Sequence, residues 1–175
     1  ESGDWLNQQL LTKARVASPS FGVGRLVARF DWLTQVNDTT NNLVVLGGSN
    51  GLRGYPSGIF QATGANRVRG DLEARSAPVV WHYFHGGLVL FYDLGDVYGG
   101  RELDPFILKH TVGFGVRGLL PQFNREVFRL DVGVPVDGST GFMLRISGGT
   151  GQSVPLTARE DAQFDASVGG LALQP

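Results

Sequence analysis

Apolar and polar residues alternate along several segments of the chain, a pattern typical of β-strands with two unlike faces. No stretch of comparable length carries an apolar stripe with the 3.6-residue period of a helix. The sequence therefore predicts an all-β protein with an antiparallel sheet. Seven strands are predicted, at 6–16, 23–33, 66–76, 87–98, 108–119, 127–136 and 142–148. A weaker, eighth candidate lies at 163–173.

The two faces of each predicted strand differ in charge. Most charged residues of the strands from 23 to 136 lie at odd-numbered positions: Arg25, Arg29, Asp31, Arg67, Arg69, Asp71, Glu73, Arg75, Lys109, Arg117, Arg129 and Asp131. A soluble sandwich also alternates, so the alternation by itself leaves both a sandwich and a membrane barrel open. Dense charge dominated by Arg favours a wet lumen in which Arg and carboxylates pair across strands. Trp32, Tyr92 and Phe128, near strand ends on the apolar face, are typical of an interfacial aromatic girdle.

Composition narrows the classes of function. The 175 residues fit one domain, and a charged fraction of 18% argues against a disordered charged tail or a long coiled coil. The formal net charge is −1, so nucleic acid is not an expected partner. The absence of Cys excludes a disulfide framework and a thiolate metal site. No run of about 18 apolar residues occurs, so a membrane role would have to be built from β-strands.

The longest segment between predicted strands, 37–65, is expected to be a loop without secondary structure of its own. Loops of that length are usually functional or disordered. Two short motifs stand out, one in this loop and one two predicted strands later: Leu52-Arg53-Gly54-Tyr55, and Phe91, Asp93 and Gly95 in Phe91-Tyr92-Asp93-Leu94-Gly95. Between them, Glu73 and Arg75 form an E-x-R pair on strand 66–76.

Together these motifs resemble the outer-membrane assembly and secretion superfamily that includes BamA, TamA and FhaC. The signature of that superfamily is a [V/L]RG[F/Y] tetrad at the tip of the sixth extracellular loop, with an FxDxG motif on a facing strand and an E-x-R strand after the loop. Its members have a sixteen-stranded barrel preceded by periplasmic POTRA domains. The resemblance covers about residues 21–150. It implies that residues 1–150 are the C-terminal half of a transmembrane β-barrel, with loop 37–65 folded back into the lumen.

The resemblance also implies specific roles. Arg53, with Gly54 and Tyr55 beside it, is expected to pair with Asp93, and Glu73 is expected to lie near enough to share the guanidinium. Phe91 and Gly95 belong to the strand motif. The parity of Asp93 and Glu73 supports this independently, because both lie on the polar faces of their strands and an Arg fork binds carboxylates bidentately. The competing interpretation is that Arg53 is a solvated loop residue and Asp93 a strand-end cap.

Insertion of outer-membrane proteins or translocation of polypeptides is the function that the resemblance implies, in a bacterial outer membrane or the equivalent organelle membrane. Expected partners are outer-membrane lipid, an N-terminal barrel half in cis or as another chain, and a client outer-membrane or secreted polypeptide. Strand 142–148, with Phe142, Leu144 and Ile146, is expected to form one lip of a lateral seam. Two alternatives remain open: a barrel that anchors a patatin-like lipase domain, and a soluble β-barrel that binds a small ligand.

Other signals predict no catalytic, metal or cofactor site. Gly47-Gly48-Ser49-Asn50-Gly51 matches G-x-S-x-G, but no helix is predicted after it, so Ser49 is not expected to be a nucleophile. His110 lies on an apolar face without metal-binding partners. Residues 151–175 do not match the superfamily and are expected to be a periplasmic tail or an additional strand. Seven antiparallel strands leave two open edges, so we expect the chain to be incomplete as a membrane unit.

Overall fold

The computed structural model describes residues 6–48, 51–82, 84–100, 105–119, 127–139 and 141–147, and the expectations for residues 151–175 and for strand 163–173 lie outside them. Within these ranges, no helix is long and apolar enough to cross a membrane. The elements of the described chain are ten β-strands: β1 (Gln8–Ala17), β2 (Gly24–Val36), β3 (Leu43–Leu46), β4 (Phe60–Thr63), β5 (Ala65–Ser76), β6 (Val79–Trp81), β7 (Phe84–Gly99), β8 (Lys109–Leu119), β9 (Val127–Pro135) and β10 (Met143–Ser147).

The main sheet is antiparallel throughout, with the strand order β1-β2-β5-β7-β8-β9-β10. The short strand β6 pairs with the first residues of β7, which is why β7 begins three residues earlier than the predicted strand. The predicted all-β antiparallel fold is confirmed, and its seven predicted strands correspond to the seven long strands of this order. Among the described residues, β1 and β10 lie at the two edges of the sheet.

The segment between β2 and β5 is not the structureless loop that was expected. Strands β3 and β4 pair with each other as a separate two-stranded sheet, from Leu43 opposite Thr63 to Leu46 opposite Phe60. A small apolar core stabilises this pair against the main sheet: Leu33, Val44, Leu46, Leu52, Tyr55, Ala65 and Val97. The expectation was wrong because strands this short depend on tertiary packing, which local periodicity does not report.

The two faces of the main sheet differ in burial as well as in charge. The face that carries the odd-numbered residues, here called the loop face, is covered in part by the segment between β2 and β5. Its buried polar residues include Asp71, Glu73, Arg75, Asp93, Thr111, Arg117 and Asp131. The opposite face, here called the apolar face, exposes large side chains such as Leu72, Leu90, Phe114 and Phe128. Charge is therefore buried and apolar surface is exposed, the reverse of an ordinary soluble sheet.

Candidate functional site

The tip of the loop, residues 51–56, folds down onto the loop face. Leu52 is fully buried and Tyr55 is 2% exposed, both within the small core beside β3 and β4. Two backbone hydrogen bonds tighten the turn, from Gly48 N to Leu52 O at 2.9 Å and from Tyr55 N to Leu52 O at 3.2 Å. Because the apolar side chains on either side of Arg53 are anchored in this core, the arginine is held against the sheet.

Arg53 binds two carboxylates on neighbouring strands. Its backbone N–H and its Nε both donate to Asp93 Oδ2 at 2.9 Å, and its Nη1 donates to Glu73 Oε1 at 2.7 Å. The guanidinium also stacks on Phe91, with 3.6 Å between Cζ and the ring centroid. The register of β5 and β7 brings these groups together, because Glu73 lies directly opposite Phe91 and Asp93 is the next residue on the same face. This is the arrangement expected from the sequence for Arg53, Asp93 and Glu73.

The two carboxylates depend on Arg53 to different degrees. Glu73 also pairs with Arg29 Nη2 at 2.9 Å and accepts a hydrogen bond from Arg75 Nε at 2.8 Å. Asp93 is 1% exposed, and within the described chain all of its hydrogen bonds come from the backbone and side chain of Arg53. Loss of Arg53 would therefore leave Glu73 partnered and Asp93 as a buried charge without a partner.

The charge state of Arg53 follows from these neighbours. Burial by itself lowers the pKa of a guanidinium, but the hydrogen bonds and charge of Asp93 and the charge of Glu73 outweigh it, so the pKa of Arg53 is raised above its ordinary value. Arg53 is consequently protonated at neutral pH. The contacts of Arg53 with Asp93, Glu73 and Phe91, here called the lock, form a fixed, charge-assisted attachment between the loop tip and the sheet. They do not act as a proton donor or acceptor.

A side chain at position 54 would clash with the sheet, so this position requires glycine. A Cβ on Gly54 would lie 2.6 Å from Thr111 Cγ2 and 2.9 Å from the Val134 carbonyl carbon, and a Cβ on Gly133 would lie 2.9 Å from Gly54 N. The backbone of the loop tip thus lies directly against β8 and β9. Gly54 does not adopt a positive φ, whereas Gly51 does, at +149°. Gly51 therefore serves the backbone conformation of the loop tip, and Gly54 serves its close approach to the sheet.

Phe91 and Gly95, the other two residues of the strand motif, lie on the sheet directly under the loop tip. The Phe91 ring occupies the space above Gly113, where a Cβ would lie 2.3 Å from Phe91 Cζ. Gly113 is directly opposite Phe91 in the register of β7 and β8. A Cβ on Gly95 would lie 3.2 Å from Leu46 Cδ2 and 2.8 Å from Val68 O, so this glycine leaves room for the core of the loop.

The sequence analysis missed a second attachment of the loop tip, to the hairpin of β9 and β10. Arg145 on β10 donates from Nε to the carbonyl of Arg53 at 3.2 Å and from Nη2 to the carbonyl of Tyr55 at 3.0 Å. Tyr55 donates its hydroxyl to Asp137 Oδ2 at 2.9 Å, in the turn between the two strands. The sequence did carry a signal for Arg145, because its position is odd-numbered, like the other residues of the loop face.

The remaining predicted site residues lie apart from the lock. Leu144 and Ile146 point to the apolar face of β10 and are exposed, and Phe142 precedes the first residue of that strand. Ser49 lies outside the described residues. His110 Nδ1 forms a hydrogen bond with the Tyr92 hydroxyl at 2.7 Å. Across the part of the chain that the structure describes, no group of three His, Asp or Glu side chains is arranged to hold a metal ion.

No family model, no curated protein and no solved structure matches the chain. The features that bear on function are the contacts of Arg53, the two unlike faces of the sheet and the motifs of residues 52–55 and 91–95.

The dependence of Asp93 on Arg53 predicts a non-additive pair of substitutions. Arg53→Ala should lower the free energy of unfolding by about 3–5 kcal/mol, because it leaves a buried carboxylate unpaired. Adding Asp93→Asn to Arg53→Ala should recover part of that loss. The measurement is denaturant unfolding of the two single variants and the double variant.

Arg69→Ala is the matched control, because Arg69 makes only the longer ion pairs of 3.6 and 3.7 Å. This substitution should lower the free energy of unfolding by about 1 kcal/mol or less. Strict additivity of Arg53→Ala and Asp93→Asn would contradict the lock.

The second attachment predicts a stability difference at high pH. Burial and the hydrogen bond to Asp137 raise the pKa of Tyr55 to about 12 from its ordinary value of 10. The unfolded chain therefore loses this proton first, so the stabilisation is fully present below pH 10 and is lost as the pH rises towards 12. The difference in unfolding free energy between the natural chain and Tyr55→Phe should shrink across that interval. A difference that stays constant from pH 8 to 12 would contradict the assignment.

Proposed function

We propose that the chain is the C-terminal part of a BamA-type outer-membrane barrel that inserts outer-membrane proteins or translocates polypeptides. The observation that carries the proposal is the reversed burial of the main sheet. Its charged loop face is covered by an infolded loop, and its apolar face is exposed along several strands. Hydrocarbon is the solvent that favours an apolar outer surface around a polar interior. A soluble barrel with a small ligand is disfavoured, because it would place the apolar face inside.

In this proposal the loop face lines the lumen and the lock braces its wall. The loop tip contacts five consecutive strands of the main sheet: Glu73 on β5, Asp93 on β7, Thr111 on β8, Gly133 on β9 and Arg145 on β10. A loop held at one point would be free to swing. Attachment to five strands instead holds their spacing and curvature constant, which suits a barrel whose wall must open at one place only.

The proposed opening is the edge of β10. Among the described residues, β10 pairs with β9 on one side only, so its other edge presents backbone N–H and C=O groups. Such an edge can pair with an incoming strand by β-augmentation. Leu144 and Ile146 on its apolar face suit contact with lipid, while Arg145 holds the other face to the loop tip. Lipid cannot satisfy the edges of β1 and β10, so the proposal includes strands of an N-terminal half, in cis or as another chain.

The membrane assignment predicts which positions contact lipid. The chain has no Cys, so single-cysteine variants can be labelled at one site with an environment-sensitive dye. In vesicles, dyes at Leu72→Cys, Val112→Cys and Leu130→Cys should be quenched by lipids with brominated acyl chains. Dyes at the matched loop-face positions Arg69→Cys and Arg129→Cys should be quenched by aqueous iodide instead. Equal quenching of both sets would contradict a lipid-facing apolar face.

The transport assignment predicts that the lock matters for activity. Vesicles that contain the full protein should accelerate the insertion of an unfolded outer-membrane protein over protein-free vesicles. Arg53→Lys keeps the charge but loses the fork and the stacking on Phe91, so it should slow insertion while the strands remain folded. Arg69→Lys, on the same face but without a bond to Asp93 or Glu73, is the control and should insert the client at the natural rate. No acceleration by the natural protein would refute the transport function.

A further inference from the structure

Among the residues that the structure describes, one end of the loop face carries more positive than negative charge. Four arginines lie there, here called the arginine cluster: Arg25 and Arg75 on the neighbouring strands β2 and β5, and Arg117 and Arg129 on the neighbouring strands β8 and β9, with β7 between the two pairs. The register sets like charges directly opposite each other, Arg25 against Arg75 and Arg117 against Arg129. The two carboxylates nearest to the cluster are already engaged, Glu73 by Arg53, Arg29 and Arg75, and Asp131 by Arg117.

Two groups of the cluster are left without an acceptor. Arg129 is half-buried and makes no hydrogen bond or ion pair with any residue that the structure describes. Arg117 is 2% exposed, and its Nε is buried without a hydrogen-bond partner. Like charges placed directly opposite each other in a sheet repel, and a buried donor without an acceptor is costly. The arrangement therefore favours an added anion, and a carboxylate fits the fork of a guanidinium best.

The sequence that follows this end of the sheet is acidic. Ser147, the last residue of β10, lies directly opposite Arg129. The sequence continues through residues 148–175, which carry Glu160, Asp161 and Asp165 against the single cation Arg159. An extended chain spans up to about 3.3–3.6 Å per residue, so the residues between Ser147 and Glu160 reach the cluster easily.

We propose that the acidic stretch Glu160–Asp165 binds the arginine cluster of the same molecule on the loop face. The complement is electrostatic, because the stretch supplies three carboxylates to the end of the face where, among the described residues, arginines outnumber carboxylates. A tethered ligand also has a high effective concentration, so modest contacts suffice to hold it. The loop face is then covered from two sides, by the loop tip and by the chain's own C-terminal segment.

Disulfide formation in the full chain tests this directly. Gly87 lies opposite Arg117 on the loop face, and a Cβ there would lie 3.4 Å from Ser76 Oγ, an ordinary contact. Gly87→Cys combined with Ala162→Cys should form an intramolecular disulfide under mild oxidation. The matched control, Leu88→Cys with Ala162→Cys, differs by one position but presents its thiol on the apolar face. We expect the Gly87 pair to react about tenfold faster, as a bound segment does relative to a free tether.

Charge neutralisation separates specific binding from proximity. Glu160→Gln, Asp161→Asn and Asp165→Asn together, or Arg129→Gln alone, should reduce the rate of the Gly87 pair to that of the Leu88 pair. Circular dichroism of each variant checks that the sheet is retained. Equal rates for the two cysteine pairs would overturn the proposal. A fast Gly87 reaction that neither neutralisation slows would also overturn it, as would a disulfide that forms only between two molecules.

Discussion

The carboxylate of Asp93 is the constraint on which the site depends. It lies on a strand in the middle of the main sheet and is 1% exposed, so it needs a charged, hydrogen-bonded partner. That partner comes from 40 residues earlier in the chain, through both the backbone and the side chain of Arg53. The loop must therefore fold onto the sheet for Asp93 to be satisfied. The small core around Leu52 and Tyr55 stabilises the same position by apolar burial, so two independent forces favour one path of the loop.

Glycines make the contact between loop and sheet close enough for these short bonds. Gly54 in the loop faces Gly133 in β9 without an intervening side chain, and Gly113 in β8 leaves room for the ring that supports Arg53. Arg145 then donates to two backbone carbonyls of the turn, so the loop tip gains hydrogen bonds from β10 through its backbone as well as through its side chains. In the proposed barrel, this links the lock to the edge strand at which a client would pair. A structural change at that edge would therefore be transmitted to the loop tip through Arg145.

The distribution of charge gives the two ends of the loop face different properties. Near the loop tip, cations and carboxylates alternate and satisfy one another, which produces a rigid network. Towards Arg117 and Arg129 the cations outnumber the carboxylates, which leaves a surface that attracts anions. The rigid end suits a brace, and the unbalanced end suits the binding of an acidic segment. In both cases the charges are kept away from the apolar face.

The sequence by itself determined the seven long strands of the main sheet and their faces, because period-2 alternation is a local property that does not depend on the details of packing. It also indicated the pairing of Arg53 with Asp93 and Glu73, through motif residues whose parity placed them on one face. It could not determine the pairing of β3 with β4, which depends on contacts with Leu33 and Val97 in other strands. Nor could it reveal the bonds of Arg145 to two loop carbonyls, or that Asp93 depends on Arg53 more than Glu73 does. Those features depend on the three-dimensional path of the loop, which brings together groups far apart in sequence, and only the tertiary structure decides that path.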